Sequence, residues 1–212
     1  MKRLEGVYLV IDPKRNWESL FQKLDGALKG GLSIVQVWNH WPENIPMEKK
    51  LEFLNKIKTY CVSFDVPVLM HDDWELADLA GLEGVHFDEI PNRFGEAQRT
   101  LKGKTIGITV GNDLDKIRWA EEQNIDYISF CAVFPSPSVD SCEIVSQKNI
   151  RMARTITEMP IFLSGGIQIT NLKYLNKLDF DGVAIISGIL DGANPAKAVQ
   201  EYILELQKIK TP

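Results

Sequence analysis

The sequence predicts a closed (β/α)8 barrel, the TIM-barrel fold class, as a single α/β domain over residues 1–212. Three observations point to it. Short apolar segments recur about every twenty-five residues, and segments with helical spacing separate them. The apolar segments show no alternation with polar residues, which is typical of parallel strands that are buried on both faces and joined by helices. Eight such units favour closure into a barrel over an open, doubly wound sheet.

The first half of the chain contains four of these units. Asp12-Pro13 closes the first strand as a turn, Asn16 caps the first helix, and Gly30-Gly31 ends that helix. The helix that begins at Met47 follows from apolar residues at helical spacing. The predicted elements are strands at 6–11, 33–38, 67–70 and 84–87, and helices at 17–29, 47–64, from 74 onward, and at 92–101.

The second half repeats the pattern. Asn112 or Asp113 caps the fifth helix, and Asn194-Pro195 opens the last helix with proline in its first turn. The predicted elements are strands at 104–110, 126–133, 160–164 and 182–187, and helices up to about 124, at 146–157, after 170 and after 195.

Composition and charge exclude several classes of protein. The net charge of −5 argues against a nucleic-acid partner, which would require a basic face. No segment is typical of a signal peptide or of a membrane span, so no membrane partner is expected. The three cysteines contain no C-x-x-C pair and indicate neither a disulfide framework nor a zinc knuckle. We therefore expect a cytoplasmic protein.

Polar residues cluster where the predicted strands end, which is the face of a barrel that carries chemistry. They are Asp12, Gln36, Trp38, His40, His71, Asp72, Asp73, His86, Ser136, Ser138, Ser164 and Ser187. Glycines after strands seven and eight leave backbone N–H groups accessible to an anion. The predicted ligand is a small phosphorylated metabolite, and the alternative is that Ser164-Gly165-Gly166 is only a tight turn.

Several motifs in this order resemble one enzyme family. They are Tyr8-Leu-Val-Ile-Asp12, Gly31-Leu-Ser-Ile-Val-Gln36, His71-Asp72, Gly84-Val-His86, Asp126-Tyr127, Val133-Phe-Pro-Ser-Pro-Ser138, Ser164-Gly-Gly-Ile167 and Gly182-Val-Ala-Ile-Ile-Ser187. Together they resemble the thiamine phosphate synthases and the related thiazole tautomerases. The resemblance implies a (β/α)8 barrel, small phosphorylated heterocyclic substrates, Mg2+ and a homodimer. The synthase joins an aminopyrimidine diphosphate to a thiazole phosphate and releases pyrophosphate.

The resemblance also assigns roles to residues of this chain. It implies that Gln36, Ser136 and Ser138 handle the diphosphate substrate, that Gly165, Gly166, Ile186 and Ser187, with Ser164, form a phosphate cradle, and that Asp72 is a Mg2+ ligand. The two remaining catalytic candidates, His40 and His71, follow from their own chemistry at neighbouring strand ends. Asp88 or Glu89 is the candidate for a second acidic ligand. The diphosphate half departs from the family motifs, because Trp38 and His40 stand where arginine and lysine are expected, and Val139 replaces a lysine.

Other readings of these residues remain open. His40 or His71 is a candidate base for an isomerase acting on a thiazole phosphate, since histidine titrates near neutral pH. The three histidines, together with Asp72 and Asp73, also suit a transition metal, although Gly-Val-His is typical of a packed His86. Trp38 and Trp41 either stack on a heterocycle or fill the barrel mouth. A relative that binds a phosphometabolite without catalysis is the third alternative.

Overall fold

The computed structural model describes residues 4–135 and 143–210. Within them, eight parallel strands follow one another around a closed barrel, and β8 pairs with β1. The predicted (β/α)8 barrel is confirmed. The strands are β1 Gly6–Ile11, β2 Ile34–Val37, β3 Val68–His71, β4 Gly84–Phe87, β5 Thr105–Thr109, β6 Tyr127–Phe130, β7 Ile161–Ser164 and β8 Gly182–Ile185.

Helices connect the strands and cover the outside of the barrel. They are α1 Trp17–Gly30, α2 Met47–Val62, α3 Trp74–Leu79, α4 Phe94–Thr100, α5 Leu114–Glu122, α6 Gln147–Ala153, α7 Ser187–Leu190 and α8 Pro195–Lys210. Asn16 caps α1 by accepting a hydrogen bond from the Ser19 amide, and Asp113, not Asn112, caps α5. Among the helices described, none is long and apolar enough to cross a membrane.

The inside of the barrel is filled by aromatic rings that glycines on neighbouring strands accommodate. Tyr8, Tyr127 and Phe162 meet edge to face, with ring centroids 5.4–6.2 Å apart. A Cβ atom on Gly107 would lie 2.1 Å from the Tyr127 ring, and one on Gly182 would lie 2.4 Å from the Phe162 ring. These three rings form what we call the aromatic floor.

The floor lies below the carboxyl ends of the strands. Tyr8 pairs in register with Ile34, so Gln36 is the next inward-facing residue of β2 toward the barrel mouth. The mouth therefore rests on a layer of buried side chains, since all three rings of the floor are no more than 2% exposed.

Several elements are one to four residues shorter than the sequence predicts, among them α6, which ends at Ala153 and not at 157. Three further differences are more informative. Strand β6 ends at Phe130 and not at Val133, because Val133 and Phe134 donate hydrogen bonds to the carbonyls of Ser164 and Gly165 outside the ladder. The helix predicted after Thr170 is a 3₁₀ turn at Leu172–Leu175, in which both leucines are buried at i, i+3 spacing. Strand β8 ends at Ile185, and Ser187 begins the four-residue helix α7.

Candidate active site

A cluster of one histidine and two carboxylates lies at the ends of β3 and β4. His71 Nε2 is 2.9 Å from Asp88 Oδ2 and 3.5 Å from Asp72 Oδ2. The Asp88 amide donates to Asp72 Oδ1 at 2.9 Å, which holds the two acidic residues side by side. Asp72 has φ +57°, in the left-handed region that aspartate tolerates better than most residues.

The structure chooses between the two candidates for a second acidic group. Asp88 joins His71 and Asp72, and one ligand atom from each lies within 4.8 Å of the others. Glu89 instead pairs with Lys116 at 2.6 Å, and its side chain is 88% exposed. Lys116 also donates to the Asp88 carbonyl at 3.0 Å, so α5 anchors the loop that carries Asp88.

The electrostatics of this cluster favour a charged pair. Burial acts to lower the pKa of His71, but the hydrogen bond and charge of Asp88 and the charge of Asp72 raise it above its ordinary value. Burial alone would raise the pKa of Asp88, yet the hydrogen bond and charge of His71 lower it to about 2. Burial also raises the pKa of Asp72, against the effect of His71. Both shifts favour an imidazolium at His71 facing a carboxylate at Asp88 over the neutral pair.

Gln36 lies inside the barrel at the second strand and is 6% exposed. Its Oε1 accepts a hydrogen bond from the Tyr8 hydroxyl, and that hydroxyl lies 3.0 Å from the Tyr127 hydroxyl. The Tyr127 hydroxyl is 2.9 Å from Nδ1 of His86. A chain of polar contacts thus runs from Gln36 across the barrel to β4.

The polar chain continues to the acidic cluster. His86 Nε2 lies 2.9 Å from the Thr109 hydroxyl, which donates to Asp88 Oδ1 at 3.2 Å. His86 is 5% exposed and both of its ring nitrogens have partners, so it is a packed residue and not a free ligand. Burial lowers its pKa to about 4, which keeps the ring neutral at neutral pH.

His40 belongs to a separate group at the end of β2. His40 Nδ1 is 3.1 Å from Asp12 Oδ1, and the rings of His40 and Trp38 are 4.4 Å apart. Trp41 packs edge to face on Phe53 of α2, so its ring belongs to the helix layer. Of the two tryptophans considered for stacking on a ligand, Trp38 therefore stands beside the histidine and Trp41 does not.

The turns after β7 and β8 carry the predicted phosphate cradle. Gly165 and Gly166 have φ +83° and +64°, which side chains rarely adopt. A Cβ on Gly165 would lie 2.6 Å from Ala132 Cβ, and one on Gly166 would lie 2.5 Å from the Pro135 carbonyl. Both glycines are thus required for close packing of the turn on the loop after β6. Their presence is therefore explained as well by a tight turn, the alternative stated above, as by phosphate binding.

Backbone donors are nevertheless available in these turns. Within residues 4–135 and 143–210, the amides of Gly166, Ser187 and Gly188 make no hydrogen bond to another part of the chain. The Ser164 hydroxyl donates to the Phe130 carbonyl at 3.2 Å and so faces β6. Ile186 is the residue immediately before α7, and its backbone forms part of the predicted phosphate cradle. An anion placed here would find N–H donors and no competing carboxylate among these residues.

Two predicted residues lie outside the described part of the chain. Ser136 and Ser138, together with Val139, fall within residues 136–142. Sequence reasoning in turn missed Tyr8, Tyr127 and Thr109. The two tyrosines were counted as apolar strand formers, and the available signal was their position at every second, inward-facing residue of a strand.

Comparison with known proteins gives a consistent result. The profile of the family described as thiamine monophosphate synthase matches residues 7–189. The chain is 28% identical over 207 residues to the thiamine-phosphate synthase of Picrophilus torridus, covering 98% of this chain and 99% of that one. It is 26% identical to the thiamine-phosphate synthase of Thermoplasma acidophilum, covering 94% and 92%. The solved thiamine phosphate pyrophosphorylase from Pyrococcus furiosus superposes with a TM-score of 0.82 at 21% identity, covering 98% of each chain, which shows a shared fold.

Proposed function

This chain belongs to the thiamine monophosphate synthase family, and on that basis we propose that it is a transferase that joins an aminopyrimidine diphosphate to a thiazole phosphate and releases pyrophosphate. The curated relatives are themselves named thiamine-phosphate synthases. The observation that carries the proposal is the arrangement of the barrel mouth. An acidic cluster at β3 and β4 and free backbone donors after β7 and β8 occupy the same end of one barrel.

Each substrate has a proposed position. The thiazole phosphate binds the amides after β7 and β8, at Gly165, Gly166, Ile186 and Ser187, with Ser164 beside them. Free N–H groups in this turn support that role. Gln36 binds the pyrimidine ring, because a buried amide on a strand end offers both a donor and an acceptor to a heterocycle. Ser136 and Ser138 are proposed to contact the diphosphate.

The acidic cluster fits Mg2+ through its donor set. Two carboxylates, Asp72 and Asp88, supply the oxygen ligands that a hard cation prefers, and His71 pairs with both. A bound Mg2+ would neutralise the diphosphate and stabilise its departure as pyrophosphate. The chain's own contribution is to hold the two carboxylates adjacent through the Asp88 amide. These small, phosphorylated substrates suit a cytoplasmic enzyme, and a homodimer is the assembly that we expect.

The part of this site that is proposed to bind the diphosphate has fewer positively charged side chains than the family motifs. Trp38, His40 and Val139 replace an arginine and two lysines of the family motifs. A hydrogen bond to a charged group contributes roughly 1.5–3 kcal/mol, so two or three lost contacts correspond to about 3–9 kcal/mol. That is on the order of two to six decades in binding or rate. We therefore expect slow synthesis.

Product formation tests the proposal directly. Purified protein with both substrates and Mg2+ should form thiamine phosphate and pyrophosphate in equal amounts. Asp72→Asn should lower the rate at least about tenfold, since it removes one charge from the metal site. Asp73→Asn is the matched control, because Asp73 caps α3 through the Leu76 amide and asparagine also caps helices. The proposal fails if no product forms on long incubation of a protein that binds thiazole phosphate.

One observation favours a second candidate. The Asp12 carboxylate beside His40 Nδ1 would fix the ring with Nε2 free, which is the arrangement of a general base. In that case the chain is an isomerase that moves a proton on a thiazole phosphate, and His40→Gln would abolish solvent deuterium uptake into the thiazole. Tight binding of the thiazole phosphate without conversion or exchange would instead identify a non-catalytic binder.

A further inference from the structure

The side chain of Lys116 is buried, although lysine side chains are normally exposed. Lys116 lies in the first turn of α5, where its amide donates to the capping carboxylate of Asp113 at 3.1 Å. Its side chain is only 8% exposed. Burial of a charged group costs free energy unless polar partners replace the lost water. The partners of this ammonium group therefore indicate what the burial achieves.

Both partners of the ammonium group lie on the segment that follows β4. Lys116 Nζ donates to the Asp88 carbonyl at 3.0 Å and to Glu89 Oε2 at 2.6 Å. The first of these contacts joins residues 28 positions apart in sequence. Asp88 is also the residue whose carboxylate joins the acidic cluster with Asp72. Lys116 thus connects α5 to the backbone of a residue of the candidate metal site.

The backbone of Asp88 is held by one contact at each end of the residue. Its amide donates to Asp72 Oδ1 at 2.9 Å, and its carbonyl accepts from Lys116. The direction in which a carboxylate points depends on the backbone that carries it. The Asp88 carboxylate then meets Thr109 and His71 at 3.2 Å and 2.9 Å. Loss of the lysine would release one of the two contacts that hold the backbone.

We propose that Lys116 is a positioning residue for the candidate metal site. By binding the Asp88 carbonyl it keeps the carboxylate of that residue beside Asp72, and by pairing with Glu89 it keeps the neighbouring carboxylate away from the site. Lys116 does not contact the cation and acts only through these two acidic residues. This inference rests on the proposed function for the presence of a divalent metal, whereas the hold on the segment after β4 does not.

The direction of the change in metal affinity separates positioning from charge. A positive charge near a metal site repels the cation, so removing Lys116 would tighten metal binding if only its charge mattered. Removing a contact that positions a metal ligand weakens binding instead. The double variant Lys116→Met/Glu89→Gln removes one positive and one negative charge, so the net charge stays the same. Weaker binding by this variant would therefore come from the lost contacts.

A titration with Mn2+ alone measures this change. Carboxylates suit Mn2+ as they suit Mg2+, and electron paramagnetic resonance gives the free Mn2+ concentration. We expect Lys116→Met/Glu89→Gln to weaken Mn2+ binding about tenfold. Glu89→Gln alone should weaken it less than about threefold, because the contact with the Asp88 carbonyl remains. Lys116→Arg keeps the charge and the N–H donors, and its affinity should lie closer to the wild type than that of the double variant.

Lys58→Met is the matched control. Lys58 also donates to two backbone carbonyls, those of Ala80 at 2.9 Å and Gly81 at 2.7 Å. These carbonyls belong to the connection between α3 and β4, at the end of the barrel remote from the mouth. The variant therefore loses the same kind of contact elsewhere in the fold, and its Mn2+ affinity should equal that of the wild type.

Exchange of the Asp88 amide with water tests the hold on the segment without any metal. That amide donates to Asp72, so its exchange rate, measured by ¹H–¹⁵N NMR, reports whether the segment stays in place. We expect exchange at least about threefold faster in Lys116→Met/Glu89→Gln than in the wild type, and no change in Lys58→Met.

Each outcome decides the proposal. Unchanged or tighter Mn2+ binding by the double variant, or unchanged exchange of the Asp88 amide, would overturn the positioning role. Glu89 is 88% exposed, so Glu89→Gln should fold normally, and a tenfold loss in that variant alone would make Glu89 a ligand and overturn the role as well. A wild type that binds no Mn2+ would overturn both the metal site and the role of Lys116 in it. If Mn2+ binding changes as expected but no thiamine phosphate forms, the transferase proposal fails and the positioning role stands.

Discussion

The turn after β7 offers a sharp test of the phosphate cradle, through Gly165→Ala with Gly103→Ala as its control. Both glycines have nearly the same backbone conformation, φ +83° and +82°. A Cβ at position 165 would lie 2.6 Å from Ala132 Cβ, whereas one at position 103 would have no heavy atom within 4 Å. The pair therefore separates the cost of the left-handed backbone from the cost of the collision.

The magnitudes follow from these two costs. The left-handed conformation costs an alanine about 1–2 kcal/mol, which Gly103→Ala should show alone as a fall in Tm of about 2–8 °C. Overpacking adds about 1–3 kcal/mol, so Gly165→Ala should lower Tm by about 4–20 °C. Displacing the turn also removes a hydrogen bond to the phosphate, which should weaken thiazole phosphate binding by about ten- to a hundredfold.

Thermal unfolding and titration calorimetry with thiazole phosphate measure both effects. Gly103→Ala should bind the ligand like the wild type, since position 103 lies in the connection between α4 and β5, at the end of the barrel remote from the mouth. A Gly165→Ala protein that unfolds like Gly103→Ala and still binds thiazole phosphate with wild-type affinity would refute the cradle and the packing argument together.

Two further predictions concern charged pairs. The pKa of His71 is raised above 6.5 in the folded state, so its contribution to stability is complete below that pH and is lost as the pH rises through the folded value. The wild type should exceed His71→Asn in Tm by more at about pH 5.5 than at about pH 8.5, and an equal difference at both would exclude the ion pair with Asp88. Arg154 makes a largely buried ion pair with Asp181, so Arg154→Leu should cost about 3–5 kcal/mol in urea unfolding. Arg118→Ala, at an exposed pair, should cost less than about 1 kcal/mol, and similar losses in the two variants would contradict the role of burial.

The barrel was predictable because its signals are local. Apolar segments, turn residues such as Asp12-Pro13 and caps such as Asn16 each act within a few positions of the chain. The wrongly predicted end of β6 lies where two segments that are distant in sequence contact each other. The residues from Cys131 onward are apolar enough to extend β6, but the turn at Gly165 takes their hydrogen bonds, and that contact joins segments more than thirty residues apart in sequence.

The sequence could predict where polar residues of the candidate site lie, but not which of them contact one another. Of the polar residues predicted at strand ends, those within residues 4–135 and 143–210 lie at or just after the ends of their strands, because parallel strands in a barrel end at one face. The choice of Asp88 over Glu89 depends on Lys116, which lies on α5 and binds the loop from a distant part of the chain. The contact between Tyr8 and Tyr127 spans 119 residues, and only the closed register of the barrel brings their hydroxyls together.

The aromatic floor has a consequence for the order of events during turnover. Tyr8, Tyr127 and Phe162 close the barrel below Gln36, so a molecule bound at Gln36 enters and departs only through the mouth. The proposed function places the second substrate at the rim, on the turns after β7 and β8, where it would lie across that exit. In the proposed reaction the deeper substrate would therefore bind first, and the kinetics would be sequential and ordered by the depth of the barrel.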